Sequence, residues 1–430
     1  MTTSPPVPHR SPTLTVMPIV LFNFIVYFVV GLPNAVISAI FVHQALGFST
    51  AVAGFVITTQ YLGTFIARLF AGSLVDKYGS KKILSIGLIA CTISGIFMAL
   101  ASIWAYSIGS DACLHNDSLR YAILGVALIS RLFMGWGESW TATPVTAWNI
   151  RRVGHDHISV AISWNGVTTY SGIAIGVGVG QWMASLPPQA AIAPAIGLLP
   201  VGLVSMALAL IALLILSSYK ALPPLHNADK GKPGSSMSLF TAIGKVLPYG
   251  LGLAAGSFGF GSINAFLALY YQANTWNHLN IAWYIFAFCF IATRLCGTGP
   301  IDKGYGVRIA MGALAVEALA FIIMALFHQQ AAAIVGVALT ATGFSLIFPA
   351  LGTEATKMGG PESTGILNAA FSLFTDSTIF IVGPLMGVVK DLFGWYIMFC
   401  SVGTLCIVGI IATLGLLAIR KKEGIVPVRK

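Results

Sequence analysis

Charge is what this chain has least of. Only 8% of its 430 residues are Asp, Glu, Lys or Arg, against about 25% in an ordinary soluble domain. That scarcity excludes a solvated globular enzyme and a disordered polar chain. No Cys-x-x-Cys pair occurs, and five of the six cysteines (Cys91, Cys289, Cys296, Cys400 and Cys406) fall in apolar runs, where they read as small hydrophobes. Cys113 stands alone in a polar loop without an evident disulfide partner. No GxxxxGK[ST] phosphate loop is present, so nothing supports ATP drive from this chain. No nucleophile motif or metal-ligand cluster of enzymatic type stands out, so neither an enzyme nor a cofactor is expected. His155 and His157 flank Asp156 in a polar loop and read as solvated residues. No secretory h-region of about 7–15 residues opens the chain; the first apolar run continues for about 28, and reads as a retained first span.

Apolar residues are abundant, at 57%, and the mean hydropathy is +0.87. Some 245 such residues would fill about twelve bilayer spans at roughly 20 residues each. Unbroken apolar runs fall near 15–43, 50–75, 81–106, 119–143, 157–184, 190–217, 246–272, 280–300, 307–328, 331–357, 362–390 and 393–420. They are rich in Leu, Ala, Ile and Gly and lack the alternating ten-residue pattern of a membrane barrel, so helices are expected.

The net charge of +10 belongs to membrane orientation and not to nucleic acid. With the N-terminus inside, eighteen of the 23 Lys and Arg residues fall in loops on the inner side, and only Arg120 and Lys390 fall in the opposite loops. Arg68, Arg131 and Arg294 lie within spans. The positive-inside rule then places both termini in the cytoplasm and requires an even number of spans. The expected organisation is a cytoplasmic tail (1–14), a six-helix bundle (15–217), a linker rich in Pro, Gly and Ser (218–245), a second six-helix bundle (246–420) and a basic tail (421–430).

The halves repeat. Phe65-Ile66-Ala67-Arg68-Leu69 precedes Asp76-Lys77-Tyr78-Gly79, and Phe290-Ile291-Ala292-Thr293-Arg294-Leu295 precedes Asp302-Lys303-Gly304-Tyr305-Gly306. In both, Arg stands eight residues before Asp, and Lys follows it. Parallel six-helix repeats are a feature of a large class of secondary transporters, whose substrate path runs between the halves near the bilayer midplane.

Gly72-Ser-Leu-Val-Asp76-Lys77-Tyr78-Gly79-Ser80-Lys81-Lys82 resembles the loop signature of the major facilitator superfamily, and Arg131-Leu-Phe-Met-Gly135-Trp-Gly137 resembles the fourth-span signature of its proton-linked members. Ile162-Ser-Trp-Asn-Gly-Val-Thr-Thr-Tyr170 and Gly343-Phe-Ser-Leu-Ile-Phe-Pro-Ala-Leu-Gly352 resemble the YhhS/YfcJ-type permeases, a branch linked with arabinose-like and drug efflux. The resemblance covers nearly the whole chain and implies an all-α membrane protein of twelve helices in two pseudo-symmetric bundles. It also implies a chain that works as a monomer, and a cavity lined by the first, fourth, seventh and tenth spans. One departure is present: antiporters of the superfamily usually carry Gly-Pro in the fifth span, where this chain has Gly172-Ile-Ala-Ile-Gly176-Val-Gly178-Val-Gly180.

A charge in the hydrocarbon core costs about 2.5–3.5 kcal/mol on insertion scales, so each one asks for a reason. Arg131, about 11 residues into its span and so near the midplane, is either a fixed positive charge that tunes an acid or meets an anionic substrate group, or a structural tie between helices. Glu138 shares nearly its face. Asp376 lies near the midplane of the eleventh span. A carboxyl whose hydration alternates can bind and release a proton in each cycle, so Glu138 and Asp376 are the expected proton carriers, with a structural hydrogen-bonded role as the alternative. Glu317 reads as structural. Polar candidates for a small ligand are Asn23, Asn34, Gln60, Trp164, Asn165, Tyr170, Asn264 and Tyr270, with Tyr271 beside them. Arg68, Gly72, Asp76, Gly79, Lys81 and Lys82, matched by Arg294, Asp302 and Arg308, read as a cytoplasmic clasp that pairs in one conformation and parts in the other.

The expected function is alternating-access transport of a small polar molecule across a bacterial inner membrane. Efflux in exchange for protons is what the resemblance implies. Proton-coupled uptake and a transport-inactive sensor of the same fold are the alternatives. The expected partners are the substrate, protons and lipid.

Overall fold

Long apolar stretches cannot leave backbone groups unpaired in lipid, and helices satisfy them within the segment. The computed structural model describes residues 11–109, 115–154, 158–185, 194–221, 237–297, 300–359 and 364–422. Among them the secondary structure is helical, without strands. Span 1 begins as α1 (Pro12–Gly31) and continues beyond Pro33 as a π-helix, Val36–Ala45. α2 is Thr50–Tyr78, α3 Ser80–Ile108, α4 Asp117–Val153, α5 Ile158–Ala184 and α6 Leu198–Ser217. The second half holds α7 (Leu239–Ala273), α8 (Leu279–Gly297), α9 (Gly306–Leu326) and α10 (Gln330–Thr356). Its last helix, Thr364–Lys422, divides at Gly394 (φ 81°, ψ 177°) into α11 (364–393) and α12 (395–422).

Ten helical stretches are long and apolar enough to cross a membrane. One of them, Ile366–Ile419, is 54 residues long and supplies two spans across the Gly394 kink. α5 completes the twelve; its Trp164-Asn165-Gly166 and Thr168-Thr169-Tyr170 runs dilute its hydropathy. Two boundaries differ from the hydropathy reading. α4 runs ten residues past 143, because Asn149–Arg152 are compatible with a helix that leaves the apolar layer, and α7 starts at Leu239, where the Ser238 side chain accepts from the Thr241 N–H. Cys113, the His155–His157 loop and most of the expected linker lie outside the described residues.

Within the first half, α1 packs on α5 and α4, α4 on α2 and α3, and α3 on α6. In the second, α7 packs on the α11–α12 helix, α9 on α10, and α8 on α10. The halves meet along two seams, α2 against α11 and α5 against α8. These are equivalent under the pseudo-twofold. Prolines lie inside α1 (Pro18), α4 (Pro144), α7 (Pro248), α10 (Pro349) and α11 (Pro384), removing a helical hydrogen bond at each site.

Candidate functional site

The R-x-x-x-G-x-G run of α4 has a steric logic. A Cβ on Gly135 would stand 2.6 Å from the Thr64 backbone nitrogen, and one on Gly137 would stand 2.9 Å from the Gly87 carbonyl oxygen. The two glycines therefore let α2 and α3 approach α4 backbone to backbone. From α2, Gly63 reciprocates against Leu132. The approach carries Gln60 and Thr64 onto Glu138. Gln60 Nε2 donates to Glu138 Oε2 at 2.6 Å and the Thr64 hydroxyl donates to the same oxygen at 3.1 Å. Glu138 is buried.

Two turns of α4 nearer the opposite face stands Arg131, fully buried. Its Nη2 donates to Asn34 Oδ1 at 2.9 Å and to the Ile57 carbonyl at 3.4 Å. Nε and Nη1 have no hydrogen-bond partner. Asn34 sits at the break in span 1, just after Pro33, and its Nδ2 donates to Asn264 Oδ1 of α7 at 2.8 Å. Interrupted helices are where transporters of this kind place polar groups for ligands. A guanidinium, an amide of the first half and an amide of the second thus form one buried chain across the molecule.

Asp376 reaches across the seam in the other direction. Arg68 Nε donates to its Oδ2 at 2.5 Å and Nη2 to its Oδ1 at 3.3 Å, a bidentate pair between α2 and α11. Arg68, Asp376 and Glu138 lie within electrostatic reach of one another. Arg294 is buried in α8, where its Nη1 donates to the Ser345 carbonyl at 2.6 Å. Tyr170 of α5 enters a ring cluster of the second half, its centroid 4.5 Å from Phe290, 5.2 Å from Phe344 and 5.4 Å from Phe260.

Other expected residues are placed elsewhere. Asn23 is committed within its own half: Nδ2 donates to the Asn165 carbonyl and to the Thr168 and Thr169 hydroxyls, at 2.9–3.2 Å, tying α1 to α5. Trp164 and Asn165 are partly buried on α5. Tyr270 is not brought to the centre. It packs with Trp276, Trp395 and Phe399 at the end of α7, and Tyr271 joins Trp276, because α7 finishes only three residues after Tyr270.

Apart from Arg68 and Arg294, the expected clasp residues are placed within their own halves. Gly79 caps α2 with φ 85°, a conformation that favours glycine. Lys81 Nζ donates to the Ser217 carbonyl at 2.9 Å and the Tyr219 carbonyl at 2.5 Å, fastening the start of α3 to the end of α6. Lys82 lies over the Tyr78 ring, Arg308 over the Tyr305 ring, and Asp76 within electrostatic reach of Arg151. Gly72 is exposed with nothing beside it, and the Asp302 side chain lies outside the described residues. Arg68 and Arg294 therefore separate from this group. They sit deeper, at the seams.

Sequence reasoning missed the opposite end of the α2–α11 seam. Asp391 Oδ2 accepts from the Ala51 N–H at 3.0 Å, at the first turn of α2, and Lys390 Nζ donates to Thr50 Oγ1 at 2.6 Å. Below them Gly387 faces Ala51 and Gly383 faces Gly54. The available signal was an acid–base pair placed where the loops are otherwise almost free of charge. Glu317, read as structural, is fully buried beside Gly256, Gly259 and Gly343, with Cys406 Sγ 4.0 Å from its Oε2.

A family model described as Major Facilitator Superfamily matches residues 19–384. An uncharacterized MFS-type transporter of Burkholderia mallei (strain SAVP1) is 38% identical over 89% of this chain and 87% of its own length. The uncharacterized MFS-type transporter YhhS of Escherichia coli (strain K12) is 34% identical over 93% of this chain and 92% of its own. Among solved structures, the xylose transporter XylE from E. coli in an inward open conformation superposes with a TM-score of 0.68 at 16% identity, covering 94% of this chain and 95% of that one. The human organic anion transporter MFSD10 gives 0.65 at 14% identity, covering 94% of this chain and 100% of that one. At such identities these two share the fold.

Proposed function

The chain belongs to the Major Facilitator Superfamily and is a multi-pass membrane transporter, and on that premise we propose that it exports a small polar molecule in exchange for protons across a bacterial inner membrane, with both termini in the cytoplasm. The observation that carries the coupling is the Arg68–Asp376 pair. Among the described residues it is the ion pair that joins the two halves, and Asp376 is 3% exposed. Ionised, Asp376 holds α2 to α11. Protonated, it releases Arg68, and the seam loses its charge-assisted link. Glu138, held by an amide and a hydroxyl instead of a cation, stands within reach of the freed guanidinium. Two carboxyls and one mobile cation can therefore pass a proton load between two arrangements, which is what alternating access needs from its chemistry. Uptake with protons is the second reading, favoured by an α5 that carries glycines and no proline.

Transport in inverted membrane vesicles with an imposed pH gradient tests the proposal. Asp376→Asn and Glu138→Gln are each expected to abolish proton-driven exchange while substrate binding persists. Coupled transport at the normal rate in both variants would remove the assignment. The direction of the proton flux on adding substrate separates export from uptake.

A further inference from the structure

The two seams carry the same cation and different partners for it. Arg68 and Arg294 hold matching places in the repeat. Thr375-Asp376-Ser377 of α11 and Thr169-Tyr170-Ser171 of α5 share a Thr-x-Ser pattern on the two equivalent spans, and each central residue lies at the seam beside the matching arginine. At the first seam Arg68 meets Asp376. At the second, Arg294 faces Tyr170, a neutral phenol within electrostatic reach, whose ring packs on Phe290 one turn before Arg294. Gly166 stands one turn before Tyr170; a Cβ there would lie 2.6 Å from Arg294 Nη2.

Arg294 is 3% exposed, and its Nε has no partner. The Ser345 carbonyl accepts one hydrogen bond and neutralises nothing. A guanidinium does not deprotonate, and a buried charge without a counter-ion is costly. The wider balance points the same way. Among the described residues the centre holds three guanidiniums, Arg68, Arg131 and Arg294, against two carboxyls, Glu138 and Asp376, while Glu317 lies apart among α7, α9, α10 and α12. A positive surplus remains even with both carboxyls ionised, and grows as they take up protons.

We infer that the transported molecule supplies the missing anion: it is a small organic acid whose carboxylate takes, beside Arg294 and Tyr170, the place that Asp376 holds beside Arg68. The phenol donates a hydrogen bond to the carboxylate, and Phe260, Phe290 and Phe344 wall the organic part. A fixed aspartate at position 170 would neutralise Arg294 permanently and repel an acid; tyrosine keeps the cation for a visitor. This assignment rests on reading the centre as a transport site, and names the class of its substrate.

The test uses the full chain in lipid nanodiscs, titrated with sodium lactate, sodium benzoate, lactamide, benzamide and inorganic phosphate, with intrinsic tryptophan fluorescence and calorimetry as readouts. Wild type is expected to bind at least one of the two carboxylates and neither amide. Arg294→Gln is expected to weaken that binding about tenfold or more, Arg294→Lys to weaken it less, and the exposed Arg152→Gln to leave it unchanged. Arg294→Lys keeps the comparison available if the glutamine variant does not fold. Binding of neither carboxylate, equal binding of acid and amide, or undiminished affinity in Arg294→Gln would overturn the inference. Arg294-dependent binding of phosphate alone would overturn the carboxylate assignment. Proton-driven exchange that survives while neither carboxylate binds would sink this inference and leave the coupling intact; Arg294-dependent binding without proton movement would do the reverse.

Discussion

Asp376 illustrates what a single buried group can and cannot tell in advance. Its presence in an apolar run flags it, since a lone carboxylate there is expensive. Its partner is not legible, because Arg68 is 308 positions away and only the folded seam brings the two together. The pair also yields a stability prediction. Removing one member should cost more than removing both, since either single change strands a charge. Arg68→Gln and Asp376→Asn are each expected to destabilise the protein by about 2 kcal/mol, below the 3–5 of a fully enclosed pair, because the Arg68 side chain is 19% exposed. The double variant should lie closer to wild type than either single, as a double-mutant cycle of unfolding in detergent would measure. Tyr270 shows the opposite failure: its residue type suited a binding site, but its height along α7 put it among Trp276, Trp395 and Phe399. Composition carries no height unless helix ends are placed to within a turn.

At the scale of elements, hydropathy located the spans well because lipid leaves the backbone few alternatives. What hydropathy does not encode is how closely two spans approach. The α2–α11 seam is set by glycines: a Cβ at Gly387 would lie 2.5 Å from Ala51 Cα, and one at Gly54 would lie 2.9 Å from the Gly383 carbonyl oxygen. Gly387→Ala must therefore push α11 from α2 and pull Asp391 from the Ala51 N–H. The expected result is a larger population with this end of the seam apart. Spin labels on the exposed Gln44 and Leu392, one in each half, would report it as a growing long-distance component in pulsed dipolar spectra. The π-helical stretch Val36–Ala45 of span 1, which follows Pro33, was likewise unreadable from hydropathy.

For the whole molecule, the repeat was legible because loop motifs recur, and twelve spans were legible as twelve apolar runs, a number consistent with the even count that the positive-inside rule asks for. Sidedness gives a prediction of its own. Alkaline phosphatase fused after Leu392 should be active and after Lys82 inactive, with a fluorescent protein behaving in the reverse sense; an inverted pattern would turn the proposed export direction around. The pseudo-twofold is a symmetry of backbone and not of bonding. One seam is laced by an ion pair between Arg68 and Asp376, the other by Tyr170 set among phenylalanines. On the proposed reading, ionic lacing holds until a proton unpicks it, whereas edge-to-face and tilted rings carry no charge for a proton to remove. Such a molecule would swing like a door with one latched edge and one greasy edge, the latch answering to a proton and the greasy edge to whatever cargo settles against it.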